Sequence, residues 1–239
     1  MRGDAAKRPR GAEDFPRPAV AVDMVVFTVE RGELRVLLIE RGEVPFKGAW
    51  ALPGGFVRVG PSARDQGEDL DAAARRELLE ETGLEPAQVY LAQLGAFGKS
   101  GRDPRMRVIA IAYYALVRPE LVPLVRPGGD AAGVRWCSVT ELPELAFDHR
   151  TIIEGARETL VLGLDRSAMP FALVPATFTI PELRATWESI GGKMLDPGNF
   201  RRRFQRMEED GLVERAPGKR TTASKPAALY RFAGDRAGK

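Results

Sequence analysis

Residues 76–84 read Arg-Glu-Leu-Leu-Glu-Glu-Thr-Gly-Leu, and three of them set the first chemical constraint. At 100° per residue, Glu77, Glu80 and Glu81 fall within about a 100° arc of one helix face. Carboxylates crowded in this way repel one another unless a cation lies among them. A hard divalent ion such as Mg2+ (or Mn2+) takes oxygen ligands of this kind. Glu68 and Arg76 stand eight positions apart and are spaced to pair, tying the helix to the loop before it. A glutamate-rich helix face that is simply solvated is the alternative that spacing alone leaves open.

A second set of residues suits a different chemistry. Over 197–210, Phe200, Phe204 and Met207 recur at i, i+4 and i+7 and mark the buried side of a helix. Arg202, Gln205 and Arg206 fall opposite, Arg201 and Arg203 flank the apolar stripe, and Asn199 sits near the helix start. Arg and Gln can read base edges in a major groove, while flanking arginines meet phosphates. Lys219, Arg220 and Lys225 add cations in the Gly- and Pro-containing stretch that follows. From residue 176 onward 13 Lys and Arg stand against 8 Asp and Glu, whereas the whole chain is only +3. A basic end on a near-neutral body is the footprint of a domain that meets a polyanion. The plainer alternative is a solvated basic helix in a small dimerisation domain.

These residues need elements to hold them. Residues 19–29 and 34–40 are β-rich runs joined by Glu30-Arg31-Gly32-Glu33, a hairpin signal, and 50–57 reads as a third extended piece. A polar loop at 58–68 leads into a helix at 69–82, with Gly83 as its stop. Strand patterns follow at 89–96, 106–117 and 133–139, then a helix at 149–162 with Asp148 as N-cap. His149 reads as a structural residue at that helix start rather than a catalyst. This order predicts a mixed α/β domain over 19–163. The pattern breaks over 164–176, where a linker is expected. Beyond it, Thr179 with Glu182 fits a capping box, and Leu183, Trp187 and Ile190 share one buried face. Gly191-Gly192 ends that helix and Asp196-Pro197 opens the next. Helix, tight connection, helix and a basic two-strand hairpin is the order of a winged helix-turn-helix over 177–239.

Composition bounds what else the chain could be. Its 239 residues suit two modest domains, and 44% hydrophobic with 29% charged residues is enough apolar material for both cores. No apolar run reaches the length of a membrane span. Residues 1–18 are basic without the apolar centre of a signal peptide, and a disordered arm is expected there. One cysteine, Cys137, excludes an internal disulfide framework and a multi-cysteine zinc site, and with one histidine any metal is left to carboxylates. The expected compartment is the cytoplasm.

The segment from Glu68 to Leu84, with TrpAlaLeuProGlyGlyPheVal at 50–57 before it, resembles the Nudix box. Together with AFGKSGRDPRMRVIAIAYYALV, LPELAFDHR and the FTIPELR…NFRRRFQRMEEDGLVE…ALYRF stretch, the chain resembles the Nudix-related transcriptional regulators of the NrtR family, over nearly everything after residue 18. The resemblance implies an α/β (α+β) Nudix fold, a mixed sheet with helices on its faces, followed by a small winged helix-turn-helix domain. It also implies a homodimer that binds a double-stranded DNA operator, commonly represses NAD-metabolism genes, and senses ADP-ribose or a related NAD-derived nucleotide. Glu68, Arg76, Glu77, Glu80 and Glu81 take the catalytic positions if the site is active, with Glu77, Glu80 and Glu81 around Mg2+. The Arg102-Asp103-Pro104-Arg105 element is expected beside the pocket, with Phe97 before it and Phe46-Lys47 at the rim. An arginine there can clamp a phosphate with two hydrogen bonds.

One departure stands out. Twelve residues separate Gly55 from Glu68 where the common pattern has five, Ser62 stands where the strict motif has glycine, and Arg58 has acidic counterparts in the family. The lengthened loop puts turnover in question. Two other readings stay open: an Mg-dependent ADP-ribose pyrophosphatase whose C-terminal domain is only structural, and a sugar-responsive regulator of the same architecture.

Overall fold

The computed structural model describes residues 16–62, 65–128, 131–164, 166–221 and 225–236. The basic arm expected over 1–18 therefore lies, up to residue 15, outside the described residues. The sheet is organised by β1 (Ala19–Glu30), a strand whose alternate side chains are apolar in both directions. Val22, Met24 and Val26 pack with Ala73, Ala74 and Leu78 of α1 (Leu70–Thr82) on one face. Val25, Phe27 and Val29 pack with Ile152, Ile153, Ala156 and Leu160 of α2 (His149–Gly163) on the other. A strand buried on both faces reads as a near-continuous apolar run, and AVAVDMVVFTV is one, broken by Asp23 and Thr28.

Around β1 the sheet is mixed. It pairs parallel with β6 (Val108–Leu116), which pairs antiparallel with β5 (Tyr90–Phe97). On its other edge β1 has two antiparallel partners in succession. Its second half pairs with β2 (Glu33–Arg41) through a hairpin whose Arg31 and Gly32 are both at positive φ, as a two-residue turn of this twist requires. Its first half pairs with β4 (Gly54–Phe56). The stretch expected as one extended piece over 50–57 is thus two short strands. Trp50–Ala51 (β3) pairs with β2, and Leu52-Pro53 carries the chain across so that β4 can join β1. β2, freed from β1, pairs on its far side with β7 (Ala131–Ser138). The sheet forks where β2 leaves β1, and a cleft opens in the fork.

The C-terminal domain follows the expected order. α3 (Ile180–Gly191) opens with the capping box: the Thr179 side chain accepts from the Glu182 amide, and the Glu182 carboxylate accepts from the Thr179 amide at 2.7 Å. α4 (Pro197–Glu209) is capped by Asp196, which accepts from the Asn199 amide at 2.8 Å. The hairpin of β8 (Val213–Arg220) and β9 (Ala227–Phe232) follows, and Phe178 exchanges both backbone hydrogen bonds with Tyr230, adding a third edge. β8 runs through the Gly- and Pro-containing stretch as far as Arg220, across a register irregularity between Ala216 and Lys219. Lys219 and Arg220 therefore stand on a strand rather than in the wing loop, of which residues 222–224 lie outside the described residues.

The linker expected over 164–176 is a packed connector. A short 3₁₀ helix, Met169–Leu173, buries Met169 and Leu173 in the core under α2, while Phe171 and Val174 enter the core of the C-terminal domain. Its mixed small and apolar composition reads as a break in periodicity, yet those apolar side chains join the two cores.

Candidate ligand pocket and nucleic-acid face

The fork cleft is walled by Asp23 of β1, Ile39 and Arg41 of β2, and Gly54, Gly55 and Phe56 of β4, with Glu81 of α1 on its floor. Arg102, Asp103, Arg105, Phe147 and His149 close the remaining side. Two arginines dominate it. The Arg105 guanidinium lies 5.5 Å from the centre of the Phe56 ring and 6.0 Å from that of Phe147, and Arg41 lies 4.9 Å from that of Phe147. Burial, and then the neighbouring charge of Arg105, pull the Arg41 pKa down, so two like charges face one cleft. An anionic group between them relieves that repulsion, and flat rings beside them suit a base or sugar face. Asp103 orients Arg105 with bonds of 2.8 and 3.1 Å, and those bonds hold the Asp103 carboxyl below its ordinary range. Phe147, at positive φ in the cleft lining, meets Phe46, also at positive φ, edge to face at 4.9 Å.

Arg102 has a different role. Its side chain is only 4% exposed and its fork is engaged by Asp148 at 2.7 Å and Asp23 at 2.8 Å. Although burial opposes the charge, the bonds from Asp148 and Asp23 raise the pKa of Arg102 overall. It holds β1 to the start of α2 instead of reaching for a ligand. Asp148 occupies the N-cap position, but its carboxylate serves Arg102 and makes no capping hydrogen bond. His149 accepts from the Leu52 amide through Nδ1 at 2.9 Å, and burial pushes its pKa down, keeping it a neutral structural group. Phe97 packs in the core under α2, and Lys47 is exposed outside the cleft lining.

The glutamate helix stands beside this cleft. Arg76 donates to both oxygens of Glu68, to Glu77 at 2.6 Å and to Glu80 at 3.0 Å, so the pairing expected from spacing forms and extends. The Arg76 bonds pull the Glu68 carboxyl down to about 2. Gly55 leaves room for Glu77: a Cβ on it would meet Glu77 Oε1 at 2.3 Å and displace that carboxylate. The insertion before Glu68 is pinched at its neck. The Glu68 amide donates to the Arg58 carbonyl at 3.0 Å, the Arg58 amide donates to Glu68 at 2.8 Å, and Val59 bridges Gly67. With the neck closed in this way, Glu68 stands within hydrogen-bonding reach of Arg76 at 2.9 Å.

A cation cage is another matter. One Glu80 oxygen accepts from Arg58 at 3.1 Å and the other from Arg76, while Glu81 accepts from the Gly54 amide at 2.6 Å. Among the described residues no three acidic, His or Cys side chains group around a common point for a metal. As arranged, these carboxylates serve arginines and a backbone amide, and a divalent ion at Glu80 would have to replace two guanidinium groups.

On the C-terminal domain, Arg201, Arg202, Gln205 and Arg206 of α4 are exposed and share about a 140° arc opposite buried Phe200 and Phe204. Arg202 donates to Asn199 within that face. Lys219 is exposed on β8. Two expected contacts turn inward. Arg220 pairs with Glu182 at 2.6 Å and with the Thr177 carbonyl at 3.0 Å, locking β8 to the start of α3. Arg203 donates to the Leu164 carbonyl at 2.9 Å and lies 5.6 Å from the centre of the Trp187 ring.

Sequence reasoning did not single out Asp23, Arg41, Phe56, Phe147 or Arg215. A lone carboxylate in an apolar strand marked Asp23, and a cation at the end of a buried strand marked Arg41. Phe56, Phe147 and the exposed Arg215 carried no pattern that set them apart.

Comparison with known proteins matches both halves. The NUDIX domain model matches residues 17–155, and the NrtR DNA-binding winged helix domain model matches residues 170–232. An ADPR responsive transcriptional repressor, NtrR, of Acinetobacter baylyi is 36% identical over 222 residues, 92% of this chain and 84% of the relative. An ADP-ribose pyrophosphatase of Methanocaldococcus jannaschii is 41% identical over 141 residues, 59% of this chain and 73% of that one. Shewanella oneidensis NrtR complexed with a 27mer DNA aligns with a TM-score of 0.76 at 34% identity, covering 91% of this chain and 95% of that one. The NUDIX domain of the same protein complexed with ADP ribose aligns with a TM-score of 0.53 at 34% identity, covering 63% of this chain and 94% of that one.

Proposed function

This chain belongs to the NrtR family of Nudix-related transcriptional regulators, and we propose that it is a cytoplasmic, dimeric repressor of NAD-metabolism genes whose Nudix domain senses ADP-ribose. The observation that carries the ligand half is the Arg41–Arg105 pair facing one cleft between the Phe56 and Phe147 rings. A diphosphate supplies a further anion between the two guanidinium groups, and a nucleoside supplies flat surface for the rings. The DNA half rests on Arg201, Arg202, Gln205 and Arg206, which leave α4 on its exposed side while the opposite side fills the domain core. A two-fold dimer follows from the need to place two such helices in successive major grooves.

Hydrolysis is the second reading. It is favoured by the Glu68–Arg76–Glu77 arrangement and by the likeness to the archaeal pyrophosphatase. Mg2+ or Mn2+ enters only with that reading, because Glu80 is engaged by Arg58 and Arg76. Sensing needs no turnover. Titration calorimetry with ADP-ribose, with the nucleotide followed by chromatography in the presence of Mg2+, separates the two. Saturable binding with intact ADP-ribose supports the sensor, rapid loss adds the enzyme, and no binding overturns the ligand assignment.

A further inference from the structure

One helix touches both halves of the function. Its start lies in the wall of the cleft: Phe147 contacts Arg41 and Arg105, Asp148 is bonded to Arg102, and His149 accepts from Leu52. Its 15 residues span about 22 Å. Ile152, Ile153, Ala156 and Leu160 seat it in the sheet core along its length. At the far end, the Leu164 carbonyl accepts two hydrogen bonds from the DNA-binding domain. One is from Trp187 Nε1 of α3 at 3.2 Å, the other from the Arg203 guanidinium of α4 at 2.9 Å. The Leu164 side chain packs against both cores.

We propose that α2 is the strut through which cleft occupancy reaches the DNA-binding face, and that Arg203 is its coupling residue, not a DNA contact. A ligand phosphate that draws Arg41 and Arg105 from Phe147 alters the surroundings of the segment leading into α2. Any shift of α2 along its axis moves the Leu164 carbonyl, and both helices of the helix-turn-helix follow through their donors. Arg203 is the direct link to α4, where its sequence neighbours Arg202 and Arg206 face outward. Two sites linked in this way are coupled typically by about 5- to 150-fold in affinity.

This inference rests on the reading of the chain as an ADP-ribose-controlled repressor, and the test separates the two. Full-length wild type, Arg203→Met and Trp187→Phe are compared, each confirmed folded by far-ultraviolet circular dichroism. Operator affinity is measured with and without saturating ADP-ribose, and ADP-ribose affinity is measured without DNA. Wild type is expected to lose at least about tenfold in operator affinity with ligand. Arg203→Met, which keeps the aliphatic stem but no donor, is expected to bring that ratio close to one while ADP-ribose affinity changes less than twofold. Trp187→Phe, which removes the second donor and keeps a ring, is expected to lower the ratio partly. A full wild-type ratio in Arg203→Met overturns the inference. So does a ratio unchanged while the salt slope of DNA binding falls by about one, the signature of a lost phosphate contact. A wild type that shows no ligand response overturns the repressor reading itself.

Discussion

Arg102 and Arg105 sit three positions apart in one loop and differ in what they touch. Arg105 is 43% exposed and oriented toward the cleft by Asp103, whereas Arg102 is buried between two carboxylates. Arg105→Ala is expected to weaken ADP-ribose binding about 10- to 100-fold, the scale of a lost charged hydrogen bond, with little change in Tm. Arg102→Ala leaves buried Asp23 and half-buried Asp148 without their cation, which costs about 3–5 kcal/mol, so a melting curve shifts first. Sequence could not separate the two, because the Asp23 partner of Arg102 lies 79 residues away. The Glu68–Arg76 pair was legible from its place in the Nudix-box pattern, with Glu68 in the loop just before α1 and Arg76 on its second turn. Its pH consequence has a definite sign. The folded-state pKa of Glu68 is about 2, below its ordinary 4.5, so its contribution is present above pH 4.5 and lost as pH falls toward 2. Thermal melts between pH 5 and 2.5 are expected to fall less steeply for Glu68→Gln than for wild type.

At the scale of elements, caps and periodicity were readable and strand partners were not. Thr179 with Glu182 announced α3, and Thr179→Ala is expected to cost about 1 kcal/mol, read as a lowered Tm of the full chain. The division of 50–57 into β3 and β4 was hidden, because nothing local tells a strand that its partner changes from β2 to β1. The packed connector over 169–173 was hidden for the same reason: its apolar side chains are explained by two cores that lie elsewhere in the chain. On α4 the exposed side separates from the buried side by phase alone. Arg202→Ala with Arg206→Ala is therefore expected to cost specific operator affinity, and Arg201→Ala to lower the slope of log affinity against log salt by roughly one, in DNA titrations across salt. Arg220→Ala is expected to leave that slope unchanged and to lower the Tm, because Arg220 holds Glu182 and Thr177.

For the whole molecule, two domains share one continuous apolar path. Phe171 stacks on Phe232 at 4.8 Å in the C-terminal core, while Met169 and Leu173 of the same 3₁₀ turn enter the Nudix core. A ligand regulates DNA binding only if it binds the free and DNA-bound arrangements with different affinity, and linkage then requires DNA to weaken the ligand by the same factor. The measurement that bears most directly on the account is fluorescence anisotropy of a labelled promoter duplex, selected by the protein from genomic fragments and titrated with ADP-ribose. The account predicts specific, salt-sensitive binding that ADP-ribose reverses. Specific DNA binding indifferent to ADP-ribose, or no specific DNA binding at all, would contradict it.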